Sequence, residues 1–173
     1  MDVWTAPFVM AGVNTRVVRR SHALSNFQYG KNFRYHEATI AGPGLGGRLK
    51  SMLMSFGLTV FMIASAIPFT RTMLLQKMLP KPGDGPSRHE RENGYFNLLL
   101  IGKLPNGELM RVRAKGDRDP GYGSTSKMLA ESAACLALDD LEVSGGLWTP
   151  STALGAALMR RLTQNAGLTF DLE

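Results

Sequence analysis

The sequence predicts an α+β fold: a small antiparallel or mixed sheet covered by helices, with an apolar helical segment at about residues 51–79. Three observations carry this. Apolar residues recur at three- and four-residue spacing in both halves of the chain. Two aliphatic-rich runs flank Pro105-Asn106-Gly107, a composition suited to a hairpin turn. The chain has 173 residues, 44% hydrophobic and 20% charged, which is the size and balance of one globular domain. Such a domain buries roughly 70% of its unfolded surface and needs no disulfide or metal to fold. Residues 1–173 are therefore expected to form a single domain.

Taken in order, Trp4–Gly12 is apolar and reads as a short entry segment. Asn14 or Thr15 is placed to cap a helix with Val13, Val17, Val18, Ser21 and Leu24 on one side and Arg16, Arg19 and Arg20 on the other. Asn26–Asn32 is a loop. Phe33, Tyr35, Glu37, Thr39 and Ala41 then alternate with Arg34, His36, Ala38 and Ile40, the period of a strand. Gly42–Gly47 is a glycine-rich break. Ser51–Thr70 runs 20 residues without a charge, between Lys50 and Arg71. Pro68 interrupts it, and a second apolar helix, Thr70–Leu79, follows. Pro80–Asn93, rich in proline, glycine and charge, reads as an exposed loop. Tyr95–Gly102 and Glu108–Lys115 are the hairpin strands. Ser124–Leu138 is a helix capped by Ser124, with Met128, Leu129, Ala133, Leu136 and Ala137 as its apolar face. Thr149-Pro150 opens the last helix, Asn165-Ala166-Gly167 ends it, and Leu168–Leu172 adds an edge strand.

The net charge of +6 is unevenly placed. Residues 1–81 carry ten Lys/Arg against Asp2 and Glu37, a net of +8, and residues 82–173 carry ten against twelve acids, a net of −2. A basic half points to an anionic partner such as a phosphate, an acyl carrier or anionic lipid. Nucleic acid is not expected, because the basic residues are scattered and no helix-turn-helix, zinc-finger or aromatic RNP pattern accompanies them. The single cysteine, Cys135, excludes a disulfide framework and fits a reducing, cytoplasmic compartment. Its neighbours Ala133, Ala134, Leu136 and Ala137 suggest a buried, inert thiol. His22, His36 and His89 have no ligand spacing, so no metal is expected. Met1–Pro7 has an acid and no basic cluster, so no secretory leader is expected either.

The uncharged run is long enough, at ~1.5 Å per residue, to cross ~30 Å of hydrocarbon. Three readings stay open: a buried core helix, a hairpin dipping into one leaflet with Thr70–Leu79, or a true span. Arg48, Lys50, Arg71, Lys77 and Lys81 flank it on both sides, so the positive-inside rule gives no orientation. Both flanks on one anionic membrane surface would suit the hairpin.

Gly42-Pro43-Gly44-Leu45-Gly46-Gly47 matches G-x-G-x-x-G. It is read as a turn into a helix rather than a dinucleotide site. Arg34, His36 and Glu37 make the preceding run half exposed, and the next acid is Asp84, far beyond the ~20-residue spacing of the fingerprint. Gly116–Gly123 packs two acids, a tyrosine and three glycines into a strand-to-helix junction. There Asp119 and Tyr122 either face a cleft or belong to a tight turn, and Gly145–Pro150 has the same ambiguity. Free N–H groups at either helix start could hold an anion.

Several blocks occur together in order: Asn14–Ser21 with Tyr29-Gly30, Phe33-Arg34-Tyr35 and Glu37; Pro82–Pro86; and Asp117–Tyr122 through Glu131, then Gly145–Pro150. Over nearly the whole chain they resemble the C-terminal half of the saccharopine dehydrogenase-like oxidoreductases, including the trans-acting enoyl reductase branch. Members of that family place an NAD(P)-binding Rossmann domain ahead of this region, and no strand–glycine loop–helix opens this sequence. The resemblance thus implies a substrate-binding and oligomerisation domain that binds no nicotinamide alone, with NAD(P) held elsewhere in a full-length member. It implies an acyl or lipid-linked substrate and a Rossmann-domain partner or a homodimer. Arg19, Arg20, Tyr35, Asp119 and Thr149 are the candidate substrate-cleft residues, with Tyr122 the candidate proton donor. Arg19 and Arg20 could hold a phosphopantetheine or carboxylate group. The residues alone equally allow a solvated arginine face and a Tyr35 that only packs the sheet. The rival function is a non-catalytic membrane- or lipid-associated module that retains the fold.

Overall fold

The computed structural model describes residues 2–75 and 83–173, in two compact units, Met1–Asp84 and Gly85–Glu173. Both units mix helix with antiparallel strands, as the α+β class requires.

In the first unit, β1 (Trp4–Pro7) pairs antiparallel with β2 (Ala38–Gly42), with Thr5 opposite Ile40 and Pro7 opposite Ala38. The first part of the expected entry segment Trp4–Gly12 is therefore a strand, and its last two residues already belong to the helix that follows. The strand's partner lies some thirty residues away, a tertiary pairing that local pattern does not reveal. The 33–41 alternation survives in the burial: Phe33, Tyr35, Glu37, Thr39 and Ala41 are the more covered set. Ladder hydrogen bonds begin only at Ala38, because the four residues of β1 offer no partner further back.

Between the strands runs α1 (Ala11–Leu24). It starts ahead of Asn14 and Thr15, so neither caps it, and Met10 at the cap position makes no side-chain bond. Its covered side is Asn14, Val18, Ser21 and His22, while the expected Val13 and Val17 are exposed. His22 is buried among Phe27, Tyr29 and Phe33, with ring centroids 4.7–5.4 Å away, and its Nε2 lies 3.0 Å from the Gly30 carbonyl. Asn26 and Phe27 take left-handed φ values of 52° and 57°, which turn the chain back over His22.

α2 (Gly44–Ala66) follows β2 directly. A Cβ on Gly47 would collide with the Gly42 carbonyl oxygen, so the glycine lets the first turn of α2 lie on the strand. Ser51 Oγ donates to the Thr5 carbonyl at 2.5 Å. α2 ends at Ile67 before Pro68, and a short α3 (Pro68–Thr70) and a π-helical turn (Arg71–Leu75) follow. The remainder of the expected Thr70–Leu79 helix, with Lys77, Lys81 and Pro82, lies outside the described residues. Among the described residues, α2 alone is long and apolar enough to cross a membrane, with mean hydropathy 1.5.

In the second unit, the expected loop at 80–93 contains α4 (Arg88–Asn93). It forms because Ser87 and Glu90 make a reciprocal capping box: Ser87 N–H donates to Glu90 Oε2 at 2.8 Å and Glu90 N–H to Ser87 Oγ at 3.2 Å. β3 (Phe96–Lys103), β4 (Leu109–Gly116) and β5 (Leu168–Leu172) form a sheet in that order, all antiparallel, with β5 at the edge as expected. Gly107, at φ 90°, completes the predicted hairpin turn, and Leu104 N–H donates to the Glu108 carbonyl at 2.9 Å. Three helices complete the unit, α5 (Gly123–Leu138), α6 (Pro150–Ala153) and α7 (Gly155–Asn165), with α7 packed on both α5 and β5; Gly155, at φ 41°, divides the single helix expected after Pro150. The core is Cys135, Leu154, Leu158, Leu162, Ala166 and Leu168.

Two readings of α5 are corrected. Ser124 does not cap it; the hydroxyl is buried and donates to the Arg118 carbonyl at 3.0 Å. Of the expected apolar face, Met128 does pack against the core, but Leu129, Ala133, Leu136 and Ala137 are exposed, and Ser124, Glu131 and Cys135 turn inward beside Met128. α7 packs on that inward side, where Cys135 and Met128 share the core with Leu158 and Leu162, and its Arg161 pairs with Glu131 at 3.3 Å and with Asp139, just past α5, at 2.7 Å.

Candidate functional site

A shallow, open cleft of about 390 Å³ lies on the surface of the first unit between α1 and the segment entering β2. α1 supplies Thr15, Arg16 and Arg19, and the extended segment supplies Tyr35, His36 and Glu37. The i, i+3 spacing puts both arginines on one side of α1, and the period of two puts Tyr35 and Glu37 on one side of the extended chain. Tyr35 Oη donates to Glu37 Oε1 at 2.7 Å, and Asn14 Nδ2 donates to Glu37 Oε2 at 2.9 Å. The Tyr35 phenol is pushed up to about 12, first by burial and then by the hydrogen bond to Glu37 and its charge. It therefore keeps its proton at neutral pH. Arg16 and Arg19 are exposed, and their guanidinium forks suit a phosphate or carboxylate.

Of the predicted site residues, the structure thus unites Arg19 with Tyr35. Arg20 is exposed on α1 but does not line this cleft. Asp119, Tyr122 and Thr149 belong to the second unit. The Asp119 carboxylate accepts the N–H groups of Gly121 at 2.9 Å, Tyr122 at 3.1 Å and Gly123 at 2.5 Å. These bonds hold it below the usual carboxylate range, Gly123 contributing most. Asp119 thereby caps the start of α5, the tight-turn reading of this junction. Tyr122 is 54% exposed, with its ring against Gly85. Thr149 is buried at the start of α6, where its N–H donates to Thr152 Oγ1 at 3.1 Å.

Arg16, His36 and Glu37 line the cleft and were not singled out from sequence. Arg16-x-x-Arg19 and Tyr35-x-Glu37 were the available signals. Cys135 is fully buried and its thiol is pushed up, chiefly by that burial and further by Asp139. Among the described residues, no group of three or more His, Cys, Asp or Glu could hold a metal ion.

The glycine loop does not fit a dinucleotide. β2 is antiparallel to its one partner rather than part of a parallel βαβ unit, and Gly47 uses its missing side chain to pack against Gly42.

No protein-family profile matches the chain, and no solved structure does. It is similar to a protein named trans-acting enoyl reductase from Mycobacterium ulcerans, 35% identical over 165 residues, which is 93% of this chain and 39% of that protein. A protein of the same name from Mycobacterium bovis (strain BCG) is 35% identical over 163 residues, 92% of this chain and 39% of its own length. A Mycobacterium tuberculosis protein, to which that activity is assigned provisionally, is 40% identical over 164 residues, again 92% and 39%. The chain spans about two fifths of the length of these curated relatives, 39% in each case.

Proposed function

We propose that this chain is the substrate-binding portion of a trans-acting enoyl reductase, whose substrates are acyl chains carried on phosphopantetheine or linked to lipid. The observation that carries the reading is similarity to proteins of that name along more than nine-tenths of the chain, 92–93%. The cleft chemistry agrees with it. Arg16 and Arg19 bind the phosphate or carboxylate at the charged end of the substrate. Tyr35, a neutral phenol locked to Glu37, fixes the opposite wall.

Enoyl reduction adds a hydride to one alkene carbon and a proton to its neighbour, and NAD(P)H supplies the hydride in this class of reaction. The glycine loop at Gly42–Gly47 does not suit the cofactor, and in this reading nicotinamide is held by another part of a longer protein, a partner or a homodimer arrangement. Tyr122, a half-exposed phenol, is our candidate proton donor. Asp119 and Thr149 act by setting the starts of α5 and α6, and Arg20 adds positive potential beside Arg19.

The test is titration of the chain with NADPH and with a 2-enoyl thioester of phosphopantetheine. NADPH is expected not to bind, and Arg16→Ala or Arg19→Ala to weaken thioester binding about tenfold each. Micromolar NADPH affinity would overturn the division of labour, and thioester affinity indifferent to both arginines would overturn the cleft. The second reading, a lipid-associated module without catalysis, is favoured by the apolar exposure of α2. It predicts no thioester turnover even when the unmatched portion of the M. ulcerans relative is supplied with NADPH.

A further inference from the structure

α2 places its side chains the reverse of the way a water-exposed helix does. Gly47, Ser51, Ser55 and Leu58 face β1 and β2, and Ser51 is bonded to Thr5. The opposite side carries Leu49, Met52, Leu53, Phe56, Val60 and Ile63, each between 46% and 70% exposed. A helix in water turns its large apolar side chains inward, and this one turns them out.

No side-chain hydroxyl on α2 needs water. Ser55 donates to the Ser51 carbonyl at 2.8 Å, Thr59 to Ser55 at 2.9 Å and Ser65 to Phe61 at 2.7 Å. Just beyond the helix, Thr70 donates to the Ala64 carbonyl at 2.7 Å. Internal satisfaction of this kind is the condition for residence in hydrocarbon.

We propose that the first unit docks on an anionic membrane surface with α2 lying in one leaflet, its outward face in the acyl layer. Charge selects lipid as the occupant. Met1–Asp84 carries ten Lys/Arg against Asp2, Glu37 and Asp84. Arg48 and Lys50 stand exposed at the start of α2 and Arg71 just past its end. The Arg48 guanidinium lies 5.6 Å over the Trp4 ring, a cation–aromatic pair suited to the headgroup layer. The hairpin sets the orientation. A shallow apolar groove lined by Pro7 of β1, Thr39 of β2 and α2 residues Met54, Gly57 and Leu58 places both strands beside the helix as far as its midpoint. A crossing helix would carry these strand edges into hydrocarbon, where their N–H and C=O groups have no partners. A helix lying in the interface keeps them on the water side. The inference stands apart from the proposed reaction.

The experiment is flotation of the full chain with vesicles of phosphatidylcholine, with and without phosphatidylglycerol. The chain is expected to float with the anionic vesicles. Phe56→Glu with Val60→Glu should abolish flotation. Arg48→Gln with Lys50→Gln should lower vesicle affinity about thirtyfold, from roughly fivefold for each charge near the surface. Unchanged far-ultraviolet circular dichroism keeps the variants interpretable. Failure of the wild-type chain to float overturns the proposal, as does flotation of the glutamate variant. A soluble dimer that the glutamates dissolve would make a second copy the occupant instead. Resistance of bound chain to alkaline carbonate would make α2 a span.

Discussion

Glu37 ties two parts of the first unit together through its carboxylate, one oxygen accepting from Tyr35 and the other from Asn14. Half of this was legible. Tyr35-x-Glu37 follows from the strand-like period of two that the sequence displays. Asn14 lies 23 residues away, and a short polar residue near a helix start reads first as a cap, so its real partner was hidden by distance. The arrangement has a titration signature. Burial and Glu37 together favour the neutral phenol, so Tyr35 is expected to ionise at about 12. In Glu37→Gln the negative neighbour is gone but the burial remains, and burial is the larger cause. The phenol should then ionise between about 10 and 12 rather than return fully to the ordinary value. Ultraviolet difference titration, with Tyr35→Phe to identify the signal, measures this. An unchanged Tyr35 titration in Glu37→Gln would mean that the 2.7 Å hydrogen bond does not form in solution.

Elements were legible where their own residues decide them and illegible where a neighbour decides. The β3–β4 hairpin follows from its turn. α4 has no apolar period, and only the Ser87-x-x-Glu90 box announces it. α5 is placed correctly from sequence, but of its expected apolar face Met128 alone turns inward, because α7 packs on the Cys135 side; there Arg161 of α7 pairs with Glu131 and Asp139. That interaction sets an acid limit on the element pair. The Arg161 hydrogen bonds hold the Asp139 carboxyl down at about 2, below its ordinary value near 4, with Cys135 adding a smaller contribution. A depressed carboxyl contributes stability in full above the unfolded value and loses it as pH falls through the folded one. Wild-type unfolding should therefore lose stability from about pH 4 towards pH 2, and Asp139→Asn should be less stable at neutral pH with a shallower loss over that window. Urea midpoints against pH test this, and parallel curves for the two proteins would remove Asp139 from the account.

At the scale of the molecule, the two units are held together by different means. Gly85–Glu173 has a continuous core of leucines around Cys135 and Ala166. In Met1–Asp84 the buried apolar residues are Ala6 and Ala41 among those described, and the large side chains of α2 point outward. The charge asymmetry legible in the sequence falls on the same division, with the basic portion carrying the exposed apolar helix. A unit that buries so little apolar surface gains little from water alone, so its stability is expected to depend on what covers α2. Hydrogen exchange on the full chain separates the two cases. In buffer, amides of β3, β4, α5 and α7 should exchange only through global opening of the second unit, and those of β1, β2 and α2 should exchange faster. Leu162→Ala, which empties a buried core position, should cost the second unit about 2–5 kcal/mol and leave exchange in β1, β2 and α2 unchanged. Anionic vesicles should slow exchange in α2 and its hairpin without affecting β3–β5, because ligand binding stabilises only the unit it touches. Equal protection of both units in buffer would show that the first unit has its own sufficient source of stability and does not depend on what covers α2.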